Sequence, residues 1–102
     1  MAVIVQQTMS AGVPIAMLDE VTVEMGVDTN PPDGMIVHTH YEEGGRIHVM
    51  DVWESDQAHQ TFVESRLRPA MGKVAAQRGF DLAQAGEPET SVVEVHRVVR
   101  GR

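Results

Sequence analysis

The sequence has 102 residues, no cysteine, 42% hydrophobic residues, and 15 acidic residues against 8 Lys and Arg, a formal net charge of −7. A chain of this length is expected to form one domain, residues 1–102, and a surface this acidic repels phosphate backbones and anionic lipid, so neither nucleic acid nor a membrane is an expected partner. The absence of cysteine excludes a disulfide scaffold, thiolate catalysis and the usual structural zinc sites.

Residues 2–9 (AVIVQQTM) read as a strand that carries Val3, Val5, Gln7 and Met9 on one face and Ile4, Gln6 and Thr8 on the other. No basic segment and no long apolar stretch opens the chain, so no signal peptide is predicted and a cytoplasmic location is expected. Pro14 suits the first position of a helix in which Ile15, Leu18, Val21 or Thr22, and Met25 form the apolar stripe, with Gly26 as its stop. Residues 28–34 (DTNPPDG) form a loop. Residues 35–41 and 46–53 are two strands joined by Glu42, Glu43, Gly44 and Gly45, an antiparallel hairpin. Ser55 caps the next helix, with Asp56 in its first turn and a stripe of Ala58, Phe62, Val63, Leu67, Ala70, Met71 and Val74. Pro69 must kink or restart that helix, and Gly79 ends it. Residues 81–90 read as a polar connection and residues 91–99 (SVVEVHRVV) as the last strand.

The order β-α-β-β-α-β, with right-handed crossovers, predicts an α+β ferredoxin-like sandwich: four antiparallel strands with both helices on one face. Sixteen Val against three Leu agree with a core dominated by a sheet. Val3, Ile4 and Val5, Met35, Ile36 and Val37, and Val92 and Val93 place apolar side chains on both faces of that sheet, while one chain supplies only one cover. The expected partner is therefore a second copy, in a homodimer.

The element order, the apolar first strand, Pro31-Pro32-Asp33-Gly34, and Asp51-Val52-Trp53-Glu54-Ser55 running into a helix with Ala58, Phe62, Leu67, Arg68 and Pro69 resemble the dimeric α+β barrel superfamily, in its antibiotic-biosynthesis-monooxygenase-like branch. The resemblance implies two sheets paired face to face and a small-molecule pocket between each sheet and its own helices. It also implies relatives among cofactor-independent oxygenases of aromatic polyketides and haem-degrading enzymes. The haem-degrading motif, an Asn, a Trp and an iron-ligating His, falls on Gln7, Phe62 and Gly72, and all three depart, so no haem and no other cofactor is expected.

His38 and His40 leave one face of their strand, and whether His48, or instead Asp51 and Trp53, joins them depends on the length of the hairpin loop. Two His at i and i+2 suit a metal, yet no carboxylate is fixed by spacing, and ordinary hydrogen bonding at a strand is the simpler reading, so no metal is expected. His59 is expected on the exposed side of its helix and His96 in a structural role. The resemblance and these residues together imply a small-molecule-pocket protein acting on a small aromatic or polyketide-like compound by cofactor-independent oxygenation. In it His38 takes a phenolic proton, and Gln7, Trp53, Phe62 and His48 contact the substrate. The alternative is a ligand-binding or structural dimer of the same fold without catalysis. A cavity of a few hundred Å3 walled by His38 or Trp53 would favour the first reading, and a filled interior the second.

Overall fold

The computed structural model describes residues 1–102. Strand β1 (Val3–Thr8) leads to helix α1 (Ile15–Met25), then to the hairpin strands β2 (Met35–Glu43) and β3 (Arg46–Trp53). Helix α2 (Asp56–Phe62), a π-helical turn (Val63–Leu67) and helix α3 (Arg68–Arg78) follow, then a short helix α4 (Leu82–Ala85) and strand β4 (Glu89–Glu94). The four strands form one antiparallel sheet in the order β2-β3-β1-β4. This is the predicted ferredoxin-like α+β arrangement.

The hairpin closes through Gly44 and Gly45 alone, at φ 62° and 75°. Two successive left-handed residues make the turn whose twist suits a two-residue hairpin, and glycine adopts that backbone freely. The even loop settles the register: His38 faces Asp51, His40 faces Val49 and Tyr41 faces His48. Carried across β1 and β4, these rows read His38–Asp51–Val5–Val92 and His40–Val49–Gln7–Thr90 on the helix-covered face, with Tyr41–His48–Thr8–Glu89 on the other.

Two apolar clusters hold the helices down. Met17 and Val21 of α1 meet Ala70, Val74 and Ala75 of α3, while Val3, Val5, Trp53 and Phe62 pack between β1, β3 and α2. Gly34 sits so close to α2 that a Cβ there would lie 2.7 Å from the Ala58 side chain. Arg66 donates to the carbonyl oxygens of Met25 and Asn30, at 2.6 and 2.8 Å, so a cation closes the C-terminal end of α1 and ties down the following loop.

Three details differ from the sequence reading. Pro14 stands just outside α1, as its N-cap, and Met17 rather than Ile15 is the fully buried member of the first turn. Pro69 restarts the helix as expected, in the first turn of α3, and the π turn over Val63–Leu67 that precedes it widens the helix where the i→i−4 pattern would need the missing N–H. The connection after Gly79 contains α4, capped by the Asp81 carboxylate on the N–H groups of Ala83 and Gln84. The last strand begins earlier and stops at Glu94, because β1, its only partner, begins at Val3 opposite that residue. Residues 95–102 cross the uncovered face instead, leaving a gap of ≈ 630 Å3 against Ile4, Val37 and Val52. No helix is long and apolar enough to cross a membrane.

Candidate functional site

Two features share the helix-covered side of the sheet. One is a chain of polar side chains over β2 and β3. Asp51, 4% exposed, accepts from His38 Nδ1 at 2.7 Å through Oδ1 and from Trp53 Nε1 at 3.2 Å through Oδ2. His38 Nε2 lies 3.3 Å from His40 Nδ1, and His40 Nε2 lies 3.0 Å from Oδ1 of Asp19 on α1. The series therefore runs from the fully buried Trp53 to an exposed carboxylate. Strand alternation places both imidazoles and Asp51 on one face, and α1 brings Asp19 over them. The three contacts that involve imidazole use four ring nitrogens. Each of these contacts needs one proton between its two atoms, and the tautomers of the two rings decide which nitrogen supplies it. The two histidines and the two carboxylates are strung out in a line, and no three of them are grouped so as to hold a metal ion.

The other feature is a cavity of ≈ 650 Å3 between β1, α1 and the α2–α3 helix, with the α4–β4 segment across its mouth. Half of its lining residues are hydrophobic, among them Met9, Met17, Leu18, Val63, Leu67, Met71 and Phe80. Gln7, Ser10, Thr90, Gln60, Glu64, Arg68 and Glu87 supply polar groups. Ser10 donates to the carbonyl of Ala85, which fastens the β1–α1 loop to α4. The π turn sets Val63, Glu64 and Leu67 along one wall.

His59 also lines this cavity. Contrary to the expected exposure, it is buried (8% exposed), and its ring lies 5.5 Å from that of Trp53, tilted by 59°. None of the protein's hydrogen bonds uses its ring nitrogens. Burial lowers its pKa from the ordinary 6.5, against the smaller opposing pull of Asp51 and Asp56, so the neutral imidazole is the favoured form. The signal was present in the sequence: His59 stands three and four residues before Phe62 and Val63, on the arc that α2 turns inward.

The other candidate residues are dispersed. Gln7 lies on the cavity wall. Trp53 and Phe62 are packed together in the core, with ring centroids 5.1 Å apart, and neither lines the cavity. His38 does not line it either, and both its ring nitrogens are engaged by Asp51 and His40, leaving no free nitrogen to take a substrate proton. His48 is on the opposite face, stacked on Tyr41 at 5.2 Å and within 3.2 Å of Thr8 Oγ1, so the even hairpin loop separates it from Gln7 and His38. The cavity is of the expected size, but its histidine is His59.

The fold is that of an α+β ferredoxin-like protein with a cavity between its sheet and its helices. No protein-family model and no curated protein matches the chain. Solved structures match over its whole length, and the fold is that of antibiotic-biosynthesis-monooxygenase-like proteins. A protein of unknown function from Nitrosomonas europaea superposes with a TM-score of 0.70 at 15% identity, covering 99% of this chain and 95% of its own. SnoaB, a cofactor-independent oxygenase from Streptomyces nogalater, gives 0.59 at 16% identity, with 98% and 97% covered. A monooxygenase from Streptomyces coelicolor, in complex with nanaomycin D, gives 0.60 at 16% identity, with 99% and 93% covered. At such identities the likeness establishes the fold, while chemistry must be argued from the site.

Proposed function

We propose that this protein binds a small aromatic or polyketide-like compound in the cavity under its helices and oxygenates it without a cofactor. The cavity carries the reading. Its ≈ 650 Å3 is in the range of small-molecule sites, with an apolar lining and a few polar groups that could orient a ring system. Similar folds in a cofactor-independent oxygenase and in a monooxygenase holding nanaomycin D support the same class of ligand. In this reading Gln7 contacts the substrate, Trp53 and Phe62 form the rigid layer beneath it, and His38 acts at a distance, as a positioning residue through Asp51. The uncovered sheet face, with Val37, Tyr41 and Val93 each more than 40% exposed, is the proposed interface of a homodimer that buries more than ~1,200 Å2 in total. His48 belongs to that face.

The test uses a tricyclic phenol with an activated CH2 group, incubated in air with purified protein and no added flavin, haem or metal. Uptake of one O2 per substrate is expected, one oxygen becoming the new carbonyl and the other leaving as water with the two CH2 hydrogens. Binding without oxygen uptake would remove the oxygenase reading. Sedimentation at micromolar concentration should show a dimer, and a stable folded monomer would remove the interface.

A further inference from the structure

We infer that His59 is the general base of the cavity, taking a proton from an acidic C–H or O–H of the bound compound; the inference rests on the cavity being a substrate site. Geometry separates this imidazole from the other four. It is the only histidine on the cavity wall. His38 and His40 have their nitrogens turned to each other and to carboxylates, and His48 and His96 lie outside the cavity. His59 has no such engagement, so a nitrogen remains to accept a proton from a ligand. Its ring is held against the rigid Trp53 indole, on a helix anchored at its start by the Ser55 hydroxyl, which accepts from the N–H of Ala58. A base fixed in this way loses little freedom when it acts.

The surrounding charges suit both states of the ring. Without substrate, desolvation keeps the imidazole neutral and so able to accept. Once it is protonated, Asp51 of β3 and Asp56 of α2 attract the new cation. The cavity wall adds Glu64 from the π turn, Glu87 before β4, and Arg68 of α3, while β1 and α1 face the cavity with no titratable side chain. In the step itself a C–H or O–H bond of the ligand breaks, its electron pair stays on the ligand as an enolate or phenolate, and the proton forms an N–H bond on His59. Return of that proton reverses the step, so no oxidant is required.

Anthrone, whose CH2 hydrogens are acidic, is the probe. Exchange of these hydrogens for deuterium in D2O is followed by NMR without oxygen, and binding is measured separately by calorimetry. Wild-type protein should bind anthrone and accelerate exchange, with a rate that rises as His59 loses its proton below pH 6.5 and levels off above. His59→Gln should bind with Kd within about threefold of wild type and lose catalysed exchange by roughly 100-fold or more, the usual contribution of a positioned base. Binding without catalysed exchange in the wild type overturns the inference, as does unchanged exchange in His59→Gln. If the variant does not fold, the wild-type pH profile decides, and a catalysed rate that does not fall at any pH below 6.5 at which the protein stays folded overturns it. Failure to bind any tricyclic probe removes the cavity reading and this inference together. Exchange without oxygen uptake in air removes the oxygenase reading alone.

Discussion

Asp51→Ala is the substitution that most directly probes how the interior is held. Asp51 is 4% exposed and accepts two hydrogen bonds, from Trp53 Nε1 and from His38 Nδ1. Truncation leaves the indole N–H of a fully buried tryptophan without an acceptor, which costs roughly 1–3 kcal/mol. It also removes a hydrogen bond to a charged acceptor, about 1.5–3 kcal/mol, with the lower end applying because the His38 side chain is 24% exposed and can turn to water. The total is about 3–4 kcal/mol, and at roughly 4–8 °C per kcal/mol for a domain of this size Tm should fall by at least ~12 °C. Asp51→Asn keeps an acceptor for the indole and offers an N–H2 to His38, which can change tautomer to accept it, so its cost should be near ~1 kcal/mol. Urea unfolding followed by the emission of Trp53, the single tryptophan, measures both variants. The reasoning fails if Asp51→Ala lies within ~1 kcal/mol of wild type, or if Asp51→Asn is as damaging as Asp51→Ala.

Trp53→Ala, which lacks the fluorescent reporter and is followed by far-UV circular dichroism instead, should cost ~3–5 kcal/mol and His38→Ala only about 1–3; equal losses would make His38 a packing residue. His38→Ala combined with Asp51→Ala should be less damaging than the sum of the two by roughly 0.5–3 kcal/mol, since both remove one bond, and strict additivity would contradict the contact. Gly34→Ala combines a φ of 84° with a Cβ placed 2.7 Å from the Ala58 side chain and should cost at least ~1–3 kcal/mol, read from thermal unfolding; a neutral result would mean that the loop is not pressed on α2. His59 has its pKa lowered by burial, so below pH 6.5 the unfolded chain binds a proton there that the folded chain resists. Stability should therefore fall on acidification from pH 7 to 5, by up to ~1.4 kcal/mol per pH unit from this group, and His59→Gln should flatten that slope; parallel pH curves for the two proteins would refute the assignment.

The element order was legible in the residues because each signal is local: period-two alternation in the strands, a Gly-Gly turn, a Ser cap and proline breaks act over a few positions. The apolar character of both sheet faces was equally plain. Strand pairing was less so. Alternation placed His38 and His40 on one face, but two turn glycines rather than a longer loop were needed to put Asp51 and Trp53 beside them and His48 behind. The end of β4 could not be read from its valines, since a strand runs only as far as its partner and β1 begins at Val3. The chemistry is the most distant level. Asp19 and His40, 21 residues apart, meet because α1 crosses the sheet, and Gln7, His59, Arg68 and Thr90 share a cavity through the packing of separate elements. Whether a histidine is a bonded link or a free base depends on which partners reach its two nitrogens. His38 and His59 are the same residue type in the sequence, and their different surroundings follow from long-range contacts that no local pattern encodes.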